Sequence, residues 1–359
     1  MFNTEVCIVG AGPGGALLAL LLARKGIQVT LLEQHKHIAK EFRGEHLNEQ
    51  GEAILKKHGL YSEVEKLGLL NMEVLEYWEN GQLFKTINPD EKIGHLGIHV
   101  PQDHLLRVIL HEAKKHSNFS FMPNTKVIDL VKNDDGIFSG IVAIQDDKKI
   151  NIFSSYIIGA DGRFSIVRKK AGIKTKIRKH GFDLLWAKIP APKNWKPSIK
   201  MALIDGYQLS LFTQATGFVQ IGWNIEQGSF PKLRKQSLGV FIEKLILAFP
   251  ELEESVRATI QSWRDFVLLD VYSNHTEPWM KNRVILIGDA CHTMTPTGAY
   301  GLNSSMKDAD LLAQYLEPWN LNTIDLTDYL IQRKTEVEKL QAMQIEKEKN
   351  FVTQFTIYD

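Results

Sequence analysis

The stretch Thr4–Gly15 reads TEVCIVGAGPGG, and the fold turns on it. Val6-Cys7-Ile8-Val9 is a short apolar run of the kind that forms a buried strand. Gly10, Gly12 and Gly15 follow at the spacing G-x-G-x-x-G, and Ala16–Ala23 (ALLALLLA) continues as a helix. Each glycine has a physical task. Gly10 permits the tight turn out of the strand. Gly12 carries no side chain, so a pyrophosphate can reach the backbone. Gly15 lets the helix pack close to the sheet. The helix N-terminus offers free N–H groups and a partial positive charge to phosphates. A second strand, Gln28–Glu33 (QVTLLE), ends on an acid placed to bind ribose hydroxyls. The glycine spacing alone is weak evidence. Strand, helix, second strand and terminal acid in this order predict an adenine dinucleotide site.

The chain has 359 residues, 44% hydrophobic and 24% charged, which is ordinary for a globular protein with a sizeable core. A net charge of +1 gives no broad basic face, so a nucleic-acid partner is not expected. The longest apolar run falls far short of a bilayer span. Met1 is followed almost at once by a strand, leaving no room for a signal peptide, and two cysteines build no disulfide framework. A cytoplasmic protein with reduced Cys7 and Cys291 is expected.

After Glu33, Arg43 stands between an aromatic and a glycine; it is either a guanidinium facing a cofactor or a solvated side chain. Glu49–His58 reads as a helix. Asn71–Trp78 and Gln82–Ile87 read as strands about an Asn80-Gly81 hairpin turn. Pro101–His116 is a helix with Leu105, Leu106, Ile109 and Ala113 on one stripe and Arg107 beside it. Thr125–Ile158 reads as a β-meander. Tyr156–Gly159 is then a buried strand, with Asp161 after it at the start of a helix bearing Ser165 and Arg168.

The middle of the chain, Phe182–Glu226, alternates by twos. Val219, Ile221, Trp223 and Ile225 share one face, Gln220 and Asn224 the other. An antiparallel sheet with one face on an apolar pocket or domain interface is expected. Helices follow over Leu238–Leu247 and Glu251–Gln261. The second strong stretch is Val284–Ala313, where a buried strand ends on Gly288-Asp289. A Gly/Pro/Thr-rich loop, Thr293–Gly301, carries no long side chain until Tyr300 and can lie flat on a planar ligand. It leads into a helix expected from about Leu302. A long charge-rich helix, about Asp325–Phe351, closes the chain as a packing or surface element.

The three stretches GAGPGG, GADGRFSIVR and GDACHTMTPTGAYGLN stand in the order and spacing of one family. The chain resembles the single-component (group A) FAD-dependent aromatic monooxygenases, the p-hydroxybenzoate hydroxylase-like family, over nearly its whole length. The resemblance implies an α/β fold, with a Rossmann-like FAD-binding domain (GR2-type), an inserted antiparallel β-sheet substrate domain and a long C-terminal helix. The corresponding segments are 1–175, 176–275 and 276–359. It implies that Gly10, Gly12, Gly14 and Gly15 hold the FAD pyrophosphate and Glu33 the adenosine ribose. Arg43, Gln102 and Arg107 match FAD-contacting positions, and Val127 would meet the adenine through its backbone. Asp161 belongs to a motif linked with both FAD and the nicotinamide cofactor. Asp289 would bind the ribityl or pyrophosphate region. Pro296, Gly298, Gly301, Leu302 and Asn303 would lie along the isoalloxazine. One departure is Gly298-Ala299 where the family has Gly-Gly.

The implied activity is monooxygenation of an aromatic, polycyclic or enolic small molecule with NADH or NADPH and O2, through a flavin C4a-hydroperoxide. No metal is needed. His46 is the candidate base, on the ground that a histidine titrates near neutrality. Tyr207, Phe212, Trp223 and Tyr300 are candidate substrate contacts, each with core packing as the ordinary alternative. A monomer or homodimer fits. The competing readings are a flavin-dependent halogenase, an isoprenoid reductase and a non-catalytic flavin-binding protein. Trp186–Pro190 (WAKIP) has Lys188 where the halogenase motif has its second tryptophan.

Overall fold

The computed structural model describes residues 2–38, 44–321 and 323–350. A parallel sheet is built in the spatial order Val284–Leu286, Lys148–Gly159, Phe2–Val9, Val29–Leu32, Phe119–Met122. The chain leaves Phe2–Val9 toward Val29–Leu32 on one side and meets Lys148–Gly159 on the other. The carboxyl ends of these strands therefore open a crevice at the point where strand order reverses, the usual place for a nucleotide. Thr125–Lys132 and Phe138–Gln145 form an antiparallel leaf leading into Lys148–Gly159, as the meander reading required.

Helix Pro13–Arg24 is buried from Gly14 to Ala23. It is apolar all round because it is packed on all sides. Its core cluster includes residues of the parallel sheet and of helices Gln102–Ala113 and Tyr300–Tyr315.

A second sheet has seven strands, in the order Val267–Leu269, Phe182–Pro190, Phe218–Glu226, Tyr207–Gln214, Ser198–Ile204, Val74–Glu79, Gln82–Ile87. It draws on two chain segments, 74–87 and 182–269, rather than on 176–275 alone. Neighbours are antiparallel except Ser198–Ile204 with Val74–Glu79, which run parallel. Helices Gly239–Ala248 and Glu253–Thr259 pack on one face, closing a core around Leu211, Ile221, Trp223, Phe241 and Leu245. Among the described residues no helix is long and apolar enough to cross a membrane.

Candidate active site

The glycine turn divides its labour. A Cβ on Gly10 (φ +106°) would lie 2.4 Å from Ala160 O, and one on Gly15 2.1 Å from Gly10 O. One on Gly14 would lie 2.7 Å from Ser305 O, so Gly14, expected on the phosphates, lets helix Tyr300–Tyr315 approach. Gly12 caps helix Pro13–Arg24 and has nothing within 4 Å of its missing Cβ. Three glycines are filled against protein and one faces open space at a helix N-terminus, which fits a pyrophosphate. Buried Glu33 accepts the Ala11 N–H (3.2 Å) and the His35 N–H (3.0 Å), which holds its carboxylate beside the turn.

Asp161 accepts from Ser165 Oγ (2.5 Å) and from the N–H groups of Ile166 (2.7 Å) and Val167 (3.1 Å), capping the helix Ile166–Lys170. Burial nevertheless holds its pKa above the ordinary carboxylate value. Arg168 donates to Ala290 O at 2.7 Å and so ties this motif to the next. Gln102 opens helix Gln102–Ala113. Arg107 is exposed and paired with Asp103 on its own helix, and Val127 is buried in Thr125–Lys132. Arg43 lies outside the described residues.

The loop after Gly288-Asp289 is shaped by two left-handed residues. Gly298 has φ +76°, and a Cβ there would meet the Tyr300 ring at 2.7 Å. Ala299 has φ +54° and ψ +36°, a conformation that costs an alanine about 1 kcal/mol. Ala299 therefore takes a left-handed position where the resemblance expects glycine, at the expense of local strain. The helix begins at Tyr300, two residues before the expected Leu302. Asp289 faces Gly301, whose Cβ would lie 4.0 Å from Asp289 Oδ1.

Two supports hold this loop from behind. Fully buried Asp308 accepts the Gly288 N–H (2.8 Å), Arg333 Nε (2.8 Å) and His292 Nε2 (2.6 Å). Burial alone would raise its pKa, but His292 and Arg333 bring it down to about 2. The last helix, Thr327–Lys349, supplies the second support. Gln344 donates to the carbonyls of Thr295 and Thr297, and Glu348 accepts both threonine hydroxyls and pairs with His180. Lys347 reaches the Tyr300 hydroxyl at 3.0 Å. That helix is more than a surface element.

In front of the loop, Asn303 spends its amide on the protein. Its Oδ1 accepts the Asn48 N–H (3.1 Å), and its Nδ2 donates to His46 O (3.1 Å) and Ala299 O (2.9 Å). This fixes the short strand His46–Leu47 beside the loop, and His46 pairs there with His99. Burial, with His99 and His95 nearby, lowers the His46 pKa to about 4. His46 is thus a neutral, weak base at pH 7, and the expectation that it titrates near neutrality is corrected.

Its neighbours form a polar chain that sequence reasoning missed. Glu45 Oε2 pairs with His99 Nε2 at 3.1 Å, and Oε1 accepts the Gln102 N–H at 3.0 Å. His99 Nδ1 accepts the Ala215 N–H at 3.1 Å. Gln214 Nε2 lies 3.4 Å from Glu45 Oε2 and also donates to Gln220 Oε1. Burial would raise the Glu45 pKa, but the bonds from His99 and Gln102 and the charge of Lys188 hold it below its ordinary value. The signal in sequence was thin: Glu45 and His99 sit in or beside two-residue strands, too short to show a period.

The substrate candidates separate by face. Trp223 is 1% exposed and packs against Phe241 at 4.7 Å between ring centroids, inside the helix-backed core. The Tyr207 ring lies against the same two rings, with its edge at a groove between the end of the sheet and the last helix. The face expected to meet an apolar pocket or a domain interface is therefore covered by the chain's own helices. Phe212 stands opposite Gln220, on the other face, with Gln208, Ser210, Gln214 and Asn224. Tyr300 packs under Gly298, in the loop itself.

Residues 3–318 match the family described as FAD binding domain. The chain belongs to this FAD-binding family. It is 30% identical over 352 residues to the 6-methylpretetramide 4-monooxygenase of Streptomyces rimosus, covering 96% of this chain and 83% of that protein. It is 26% identical over 341 residues to the 3-hydroxybenzoate 6-hydroxylase of Klebsiella oxytoca, covering 86% and 79%. Among solved structures, a probable FAD-dependent monooxygenase of Pseudomonas aeruginosa, PqsL, superposes with a TM-score of 0.81 over 98% of this chain and 96% of its own, at 20% identity. That last likeness concerns the fold. The chain is an FAD-dependent monooxygenase of the NAD(P)H-using hydroxylase class, and the halogenase and binding-protein readings are not favoured.

Proposed function

We propose that this enzyme hydroxylates a multi-ring phenol or enol carrying several oxygen substituents, bound between the polar face of the seven-stranded sheet and the loop Pro296–Asn303. The observation that carries the reading is the make-up of that face. Gln208, Gln214, Gln220 and Asn224 set amides among Trp186, Ile199, Met201 and Phe212, where a pocket for a bare ring system would be apolar throughout. The similarity to an enzyme named for 6-methylpretetramide supports a ring system of this size.

Bound FAD, reduced by NADH or NADPH, supplies the activation of O2. The chain's own residues do the rest. Gly12 and the N-terminus of helix Pro13–Arg24 bind phosphate, with Glu33 on the ribose. Asp289, Gly298 and Gly301 line the flavin-side loop, and the N-terminus of helix Tyr300–Tyr315 favours negative charge beside it. The supports from Asp308, Gln344 and Glu348 hold the loop rigid, and the helix-backed side of the sheet keeps water from one wall. Glu45, held ionised by His99 and the Gln102 N–H, fixes the polar groups beside the substrate position. We place the enzyme in the cytoplasm, as a monomer or homodimer.

The test is turnover. The purified holoenzyme is followed for NADH and NADPH oxidation with single-ring phenols, hydroxyanthraquinones and polycyclic enols, and products are weighed. Oxidation stimulated by the multi-ring compounds, with a product one oxygen heavier, is expected. Stimulation by single-ring phenols alone would refute the multi-ring reading, and flavin never reduced under any condition would refute turnover.

A further inference from the structure

Gln214 is 3% exposed, and its Oε1 has no hydrogen-bond partner in the protein. An amide oxygen left without a donor away from water costs about 1–3 kcal/mol. A simple rotation of the amide does not relieve it. The other end of the amide faces two acceptors, Glu45 Oε2 and Gln220 Oε1, so the NH2 group must point at them and the oxygen must point away.

Glu45 is itself fixed. One oxygen takes the first N–H of helix Gln102–Ala113, where the helix end favours a negative charge, and the other takes His99. His99 has no freedom either: because Nδ1 accepts the Ala215 N–H, its ring proton sits on Nε2 and is donated to Glu45. The donors of Ala215, His99 and Gln214 therefore converge on Glu45, each spoken for, and the one group left unused is the Gln214 acceptor. That acceptor is on the polar face of the sheet. It is joined through Glu45 to His46, whose carbonyl is bonded to Asn303 of the flavin-side loop.

We propose that Gln214 Oε1 reads a substrate hydroxyl, and that Glu45 and His99 are positioning residues that hold it in the accepting orientation. The inference rests on the function proposed above and adds to it a requirement: the substrate must donate a hydrogen bond at this point. A ketone, an ether or a methoxy group there leaves two acceptors facing each other. A site built to bond a hydroxyl rejects its blocked analogue strongly, because the buried partner is then unsatisfied.

The experiment uses the full-length FAD-loaded enzyme and two probes, 2,6-dihydroxyanthraquinone and 2,6-dimethoxyanthraquinone, whose substituents lie away from the ring carbonyls. Dissociation constants are read from the flavin difference spectrum. The wild type is expected to prefer the dihydroxy compound by about ten-fold or more. Gln214→Leu brings the two within about two-fold. Glu45→Gln gives position 45 donors of its own, frees the amide to turn, and lowers the preference as well. Should Gln214→Leu fail to fold, Gln220→Leu removes the other orienting acceptor and lowers the preference, while Gln220→Glu keeps an acceptor and retains it. A preference that survives Gln214→Leu overturns the inference, because the oxygen is then an ordinary buried group satisfied by water. Two probes that both fail to bind the wild type overturn the multi-ring reading instead, so the two failures are distinguishable.

Discussion

The two faces of the seven-stranded sheet are made from the same strands and do opposite work. On one, Leu211, Ile221 and Trp223 meet helices Gly239–Ala248 and Glu253–Thr259 in a buried core. On the other, one residue further along each strand, stand Gln208, Phe212, Gln214, Gln220 and Asn224, facing away from those helices. Alternation with a period of two is all that separates them. The difference teaches that in a two-layer unit the apolar face is the one the chain covers itself. The face left for a ligand is then the mixed one, because a bare apolar surface would not stay uncovered.

The largest expected effect tests the covered face. Trp223→Ala empties a fully buried ring that packs tilted against Phe241, and such truncations cost about 3–5 kcal/mol. Urea unfolding followed by circular dichroism measures it. A Trp223→Ala enzyme of unchanged midpoint but raised KM would reverse the assignment of the two faces.

The next effect tests how dry the polar side is. His46 is held neutral, its pKa lowered from 6.5 to about 4 chiefly by burial and also by His99 and His95. Below pH 6.5 the unfolded chain takes up a proton that the folded chain refuses, so stability falls as pH drops from about 6.5 to about 4. The gap corresponds to at most about 3 kcal/mol, and no further loss arises from this residue below that window. His46→Asn removes this contribution, so the difference in urea midpoint between wild type and variant should shrink or change sign between pH 7 and pH 4.5. Parallel pH profiles for the two proteins would mean that water reaches His46 freely and that the polar side is not a closed pocket.

Much of this was legible in the sequence, and what was not has physical reasons. The glycine turn, Glu33, Asp161 and Gly288-Asp289 could be read because each lies at the end of a strand long and apolar enough to announce itself. The alternation of Val219 through Ile225 was read correctly too. What it faced was not, since period two says which residues share a side and nothing about what covers it. Glu45 and His99 come from separate chain segments and meet through a pairing of two-residue strands, so no local pattern joins them. Strands Val74–Glu79 and Gln82–Ile87 were recognised as a hairpin, but their attachment to the second sheet is a long-range pairing that no window of sequence contains. The grip of Gln344 and Glu348 on Thr295 and Thr297 is invisible for the same reason: about fifty residues separate partners that read, in sequence, as a packing or surface helix and a loop.

The smallest effect bears on the comparison most directly, because it sets two aromatic residues of one strand against each other. Phe212 and Tyr207 lie five residues apart in Tyr207–Gln214 and therefore on opposite faces. Phe212 is partly buried beside Gln220, while the Tyr207 ring rests on Trp223 and Phe241 and under Lys244. Phe212→Leu keeps an apolar side chain of lesser reach, so the fold should lose no more than about 1 kcal/mol, while a ring that stacks on substrate is lost and KM rises a few-fold. Tyr207→Leu should do the reverse, lowering the unfolding midpoint through the lost ring contacts by about 1 kcal/mol and leaving KM within two-fold. Steady-state kinetics and urea titration on the pair give four numbers. If KM follows Tyr207 rather than Phe212, substrate enters at the groove beside the last helix, and the polar face is its wall rather than its floor.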